Sequence, residues 1–179
     1  MRDLRIDIDA RTAGDEMLSF AEELYPICRS ITGDGIRETL RRIGKRIPLD
    51  VRDVPSGTQV FDWTIPLEWN IRDAYIEDPH GQRVVDFRDH NLHVVGYSAP
   101  VNTTMSLAEL KEHVHTLPDQ PDVIPYRTSY YAEAWGFCMQ DERLRGLPDG
   151  PYTVRIDSSL EPGSLTYGEC YLPGETDDE

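Results

Sequence analysis

The chain has 179 residues, with 33 acidic against 18 basic side chains, a formal net charge of −15 and a sequence pI near 4.6. That charge opposes nucleic-acid phosphate and anionic lipid as partners, and no apolar run approaches the roughly 18 residues a membrane span requires. Hydrophobic content of 39% with a mean hydropathy of −0.52 suits a globular chain of one domain or a domain and a half.

The opening "MRDLRIDIDARTAGDEM" has no apolar stretch of the kind that drives secretion, so a cytoplasmic location is expected. From Gly14 to Ser30, Met17, Phe20, Ala21, Leu24, Tyr25, Ile27 and Cys28 recur at steps of three and four and predict an amphipathic helix. Pro26 should end or kink it near Tyr25, because proline lacks a backbone donor and clashes with the preceding turn. After "SITGDG" a second helix is predicted from about Gly35 to Arg46, with Ile36, Leu40, Ile43 and Ile47 on one stripe and Thr32 or Asp34 as its cap.

Beyond Pro48 the apolar period changes from 3.6 to 2, and a β-rich unit is predicted. "DVRDV", "QVFDWTI", "WNIRDAYIED", "RVVDFRD" and "LHVVGYS" read as strands, with "DPHG" at 78–81 as a hairpin turn. One helix interrupts them at Ser106, where "SLAE" places Glu109 at the capping-box position, and Leu107, Leu110, Val114 and Leu117 form its stripe up to Pro118. "YYAEAWGFCM", "PYTVRIDSS" and "SLTYGECYLPG" read as later strands, with a helical turn at "DERLRGL". The fold class expected is α+β: an N-terminal helix pair followed by a β-rich unit with one helix.

Chemistry-bearing patterns are sparse. "DFRDHNLH" holds Asp86, Asp89, His90 and His93, but on a strand the two histidines face opposite sides, and only a bulge or turn at Asn91 would bring both to one ion. One packed and one wet histidine is the reading adopted. Cys28, Cys138 and Cys170 are odd in number and lack a CxxC spacing, which points to free thiols. There is no GxSxG elbow, and "TGDG" at 32–35 lacks the lysine and spacing of a phosphate loop. In "PYRTSYYAEAWGFC", residues 125–138, strand alternation would place Tyr131, Glu133, Trp135 and Phe137 on a packing face. Tyr130, Ala132, Ala134 and Gly136 would lie on an open one beside Arg127.

"PICRSITGDGIRETL", "VPSGTQVFDWTIPLEWNIRDAYI", "VVDFRDHNLHVVGYS", "IPYRTSYYAEAWGFC" and "DSSLEPGSLTYGECYLPGE", in that order, resemble a bacterial family of aminopeptidase-like proteins related to the di-zinc exopeptidases. The resemblance implies an incomplete portion of an α/β zinc-peptidase architecture. Residues 1–46 would supply helices of the peptidase-like domain, 47–165 a β-rich inserted domain, and 166–179 a strand returning to the peptidase sheet. It also implies that the metal-binding blocks lie beyond Glu179, so that zinc is expected in a full-length relative and no cofactor in this chain. A peptide or small amide substrate, and a homo-oligomer, would then be the partners. Arg127 and Tyr130 are the candidates for substrate contact at the seam between insert and peptidase domain. The alternative is a non-catalytic binding or assembly module.

Overall fold

The computed structural model describes residues 9–129 and 131–172. In chain order these form α1 (Ala10–Leu24), α2 (Asp34–Ile43), β1 (Asp50–Pro55), β2 (Gln59–Val60), β3 (Trp63–Thr64), β4 (Glu68–Glu77), β5 (Arg83–Asp86) and β6 (Val101–Ser106). They continue with α3 (Leu107–Glu112), β7 (Val114–His115), β8 (Phe137–Cys138), α4 (Asp141–Arg145), β9 (Pro151–Glu161) and β10 (Ser164–Glu169). The architecture is α+β, as the change of period indicates.

Pro26 acts as expected: α1 closes with Tyr25 N–H donating to Ala21 O at 2.9 Å and Ile27 N–H to Leu24 O at 3.2 Å. Arg29 then folds back, and its Nη1 is a second donor to the Leu24 carbonyl, at 2.7 Å, at the helix end. The cap of α2 differs from the local one expected. Gly33 sits at the N-cap with φ 87° and no side-chain cap. The amide of Asp34 is instead bonded at 2.8 Å by Asn70 Oδ1 of β4. Glycine is required there, because a Cβ at Gly33 would fall 2.2 Å from the Trp69 carbonyl. Asp34 pairs with Arg37 at 2.9 Å, and the Thr32 hydroxyl is spent on the sheet, as described below.

The core lies on one face of an antiparallel sheet ordered β5-β4-β9-β6. Alternate residues of β9, Tyr152, Val154 and Ile156, are buried against Ala74 and Ile76 of β4, and Leu107 and Leu110 of α3 close over them with Phe137 and Met139. The hairpin at 78–81 forms as read: Asp78 Oδ1 accepts from His80 N–H at 2.8 Å and from Gln82 N–H at 2.9 Å. The Ser106 capping box is also present. The helix it starts is shorter than its stripe suggests, for Val114 leaves α3 and enters β7, which runs parallel to β8.

Other expectations fail for local reasons. "QVFDWTI" is not one strand but the hairpin β2–β3, reversed at Phe61, whose φ is 54°. "LHVVGYS" is not a strand either: a 3-10 turn at Asn91–His93 leads to a loop in which Tyr97 has φ 68°. The strand β6, "VNTTMS", carries too few apolar residues to announce itself, yet pairs with β9 along its whole length. Finally, β1 and β10 form a separate antiparallel ribbon, with Asp50 opposite Glu169 and Pro55 opposite Ser164. Residue 165, where the return toward the peptidase-like domain is expected, lies within β10.

Candidate functional site

Trp69, at the start of β4, is 4% exposed and ties the helical segment to the sheet. Its ring stacks on Tyr97 at 5.8 Å, its Nε1 donates to Ser98 O at 3.0 Å, and its backbone N–H donates to Thr32 Oγ1 at 3.0 Å. The Thr32 hydroxyl shares a further hydrogen bond of 2.6 Å with the Tyr97 hydroxyl. A left-handed backbone is costly for a bulky aromatic and persists only where its surroundings over-determine it. The Trp69 stack and the Thr32 hydrogen bond supply that constraint at Tyr97.

Beside it, Glu68 accepts from Arg37 Nη2 at 2.5 Å and Nη1 at 3.0 Å, from Ser164 N–H at 3.1 Å and from Asn70 Nδ2 at 3.2 Å. One carboxylate thus joins α2, β4 and β10. The Arg37 hydrogen bond is the main reason its pKa falls to about 2, and the guanidinium's own pKa rises in return.

Between the end of α1 and the sheet unit lies a cleft of about 310 Å³, lined by Tyr25, Cys28 and Arg29 on one side and by Trp69, Leu92 and Tyr126 on the other. His90 Nδ1 accepts from Leu92 N–H at 3.1 Å, so the proton of the neutral ring sits on Nε2 and is donated to the Tyr25 oxygen at 2.6 Å. Asn91 Nδ2 donates to Tyr25 O at 3.0 Å. Burial pushes the Cys28 thiol up to about 11, so its sulfur is neutral and a poor nucleophile.

The 3-10 turn brings His90 and His93 within 6.2 Å, ring centre to ring centre, which strand alternation would forbid. Both are committed elsewhere: His93 is buried with Nδ1 donating to Cys138 O at 2.8 Å, and His90 holds Leu92 and Tyr25. Packed and wet, as expected, holds for His93 but not for His90, which is half-buried. Among the described residues no group of three or more His, Cys, Asp or Glu is placed to hold a metal ion. The zinc that the resemblance implies finds no ligand set among them. Cys28, Cys138 and Cys170 are free thiols.

Arg127 is exposed, and its guanidinium makes no hydrogen bond or ion pair among the described residues, while its carbonyl accepts from Gly96 N–H at 2.9 Å. Its charge reaches His115, whose pKa is lowered by burial first and by Arg127 next. Tyr130 lies outside the described residues. Between Tyr131 and Gly136 the expected strand is absent, because Ala132 N–H turns back to Ser129 O and Ala99 N–H takes Ala134 O. The two-faced alternation is therefore lost. Tyr131 is 77% exposed and meets Trp63 edge-on, Trp135 is half-buried and stacked on His113 at 3.6 Å, and Phe137 is fully buried. Tyr126, which the alternation of residues 130–137 does not reach, is the member of this stretch that lines the cleft.

Trp135→Ala is expected to cost about 2 kcal/mol, less than a full core aromatic because one face of the ring is open. Arg127→Ala should stay within about 0.5 kcal/mol and should raise the His115 pKa. Urea unfolding and histidine proton resonances followed against pH measure the two effects.

Residues 68–159 match the family described as a domain of unknown function (DUF2172). The chain belongs to this family. The DUF2172 region runs from β4 into β9 and contains Trp69, Leu92 and Tyr126, whereas the opposite wall of the cleft, Tyr25 to Ser30, lies outside it. A Clostridium acetobutylicum protein that carries the provisional name of a polysaccharide biosynthesis protein with an aminopeptidase-like domain is 55% identical over 166 residues. That is 93% of this chain but 38% of the relative. A crystal structure from the same organism, provisionally named a peptidase, superimposes with a TM-score of 0.88 at 55% identity, covering 92% of this chain and 39% of that one. The chain thus spans about two fifths of the length of these relatives and resembles a portion of an aminopeptidase-like protein.

Proposed function

We propose that this chain is the N-terminal and inserted-domain portion of a zinc aminopeptidase-like hydrolase acting on peptide or other amide bonds, and that it contributes a substrate wall rather than the reacting groups. The observation that carries the reading is the β1–β10 ribbon. An inserted domain must leave and rejoin its host at neighbouring points, and the strands leading in and out pair directly, Asp50 opposite Glu169. Residues 1–46 and 166–179 are then the host's, and about 47–165 the insert.

On this reading Arg127, whose guanidinium has no partner among the described residues, orients the substrate together with Tyr130, three residues on in the sequence, as pockets commonly set a few fixed polar groups in an apolar lining. Bound zinc would lower the pKa of water and polarise the scissile carbonyl from ligands outside the described residues. The test is hydrolysis of aminoacyl-p-nitroanilides with added zinc, by this chain and by a form extended with the segment the Clostridium relative carries. Turnover is expected in the extended protein alone, and Arg127→Ala should reduce it by about tenfold while the fold survives. A folded, zinc-loaded extended protein inert to every aminoacyl substrate would favour the binding-module reading instead.

A further inference from the structure

The cleft beside Trp69 has a lining unlike the rest of the molecule. The chain is strongly acidic, yet among the described residues no Asp or Glu lines it. Its floor is apolar, made by the half-buried Ile27 and Leu92 with Val94 and the edge of the buried Trp69 behind them, and the neutral Cys28 thiol lies alongside.

Hydrogen-bond bookkeeping separates what the walls have spent from what they have left. The Trp69 indole donates to Ser98, Asn91 Nδ2 to Tyr25 O, and the Tyr25 hydroxyl is held by His90. Arg29 differs. Its Nη1 is fixed by the Leu24 and Ile27 carbonyls at 2.7 and 3.4 Å, while Nε and Nη2 have no partner among the described residues. That free edge is the one whose two parallel N–H groups match the oxygens of a carboxylate. The carbonyls of the α1 end hold the side chain in place, so little rotamer freedom would be lost on binding. The hydroxyls of Ser30 and of the exposed Tyr126 are also unspent among the described residues.

We infer that this cleft is a binding site for a small organic carboxylate with an apolar or aromatic body, of amino-acid to dipeptide size, its carboxylate on the Nε–Nη2 edge of Arg29 and its body on Ile27 and Leu92. The inference does not depend on the hydrolase reading, since it concerns binding by this chain's own residues.

The test uses the 179-residue chain and two probes that share a body and differ in charge, N-acetyl-phenylalanine and N-acetyl-phenylalaninamide. Binding is followed by tryptophan fluorescence and by the amide resonances of Leu92 and Gly96. The carboxylate is expected to bind in the millimolar range or tighter and the amide about tenfold more weakly. Arg29→Gln should erase that preference, and Arg29→Lys should weaken it, because an ammonium offers no two-donor edge. As Arg29 also caps α1, unfolding midpoints accompany each variant. Tyr126→Ala, at an exposed side chain with no such duty, should weaken the carboxylate several-fold without touching stability. Equal binding of the two probes, unchanged binding by Arg29→Gln, or no perturbation of Leu92 and Gly96 by the carboxylate up to about 10 mM would overturn the assignment.

Discussion

Trp69→Ala is expected to lower the unfolding free energy by about 3–5 kcal/mol, the range for emptying a buried aromatic site. The ring is 4% exposed and stacked on Tyr97, and its indole N–H satisfies the Ser98 carbonyl. The loss would not be confined to volume. Tyr97 holds a left-handed backbone, φ 68°, that its ring stack and its hydrogen bond to Thr32 help to enforce. Removing Trp69 releases that constraint and should loosen the loop carrying Val94 to Ser98, which hydrogen exchange at Gly96 and Ser98 would report as lost protection. Trp69→Phe retains the stack and removes one of two donors to the Ser98 carbonyl, which keeps the Ser158 hydroxyl at 2.8 Å, so about 1 kcal/mol is expected. A Trp69→Ala protein as stable as the parent in urea would show that the helical segment and the sheet are not joined through this ring.

Glu68→Ala should cost about 2–3 kcal/mol, because Arg37 and the Ser164 amide would lose a charged acceptor in a half-buried place. The sign of its pH dependence follows from the pKa of about 2, against an ordinary 4.5. A carboxylate depressed in the folded state contributes stability that is fully present above about pH 4.5 and is lost as pH falls from there toward 2. Glu68→Gln should therefore be less stable than the parent at pH 7, with the difference shrinking below pH 4.5. Chemical unfolding at a series of pH values measures it. A gap between the two proteins that stays constant down to pH 2.5 would mean that the Arg37 clasp contributes nothing.

Much of the scaffold is legible in the sequence where the cause is local. Pro26 ends α1, the Ser106 hydroxyl and Glu109 start α3, and Asp78 shapes the β4–β5 hairpin, all through contacts within a few residues. The seam is hidden because its contacts are distant in sequence. The α2 cap comes from Asn70, 36 residues after the amide it serves, and Thr32, a plausible local cap, is claimed by Trp69 and Tyr97. The same competition undoes the strand read through residues 130–136. Alternation of aromatic and small side chains describes a strand only if the backbone is extended, and the hydrogen bonds from Ala132 to Ser129 and from Ala99 to Ala134 show that it turns. Of the candidate site, the aromatic stretch at 125–138 was visible as a region. Arg29 was not, because only the structure shows one edge of its guanidinium spent on α1 and the other left open.

Zinc stoichiometry tests most directly the claim that this chain supplies a wall and not the chemistry. After equilibrium dialysis against micromolar zinc and a wash with a weak chelator, metal analysis of the 179-residue chain should find no stoichiometric zinc. The same analysis of the form extended with the Clostridium segment should find tightly held metal. His90 and His93, the nearest approach to a ligand pair, are already engaged with Tyr25, Leu92 and Cys138. Stoichiometric zinc on the unextended chain, abolished by His90→Ala with His93→Ala, would contradict the account and place a metal centre inside the DUF2172 region.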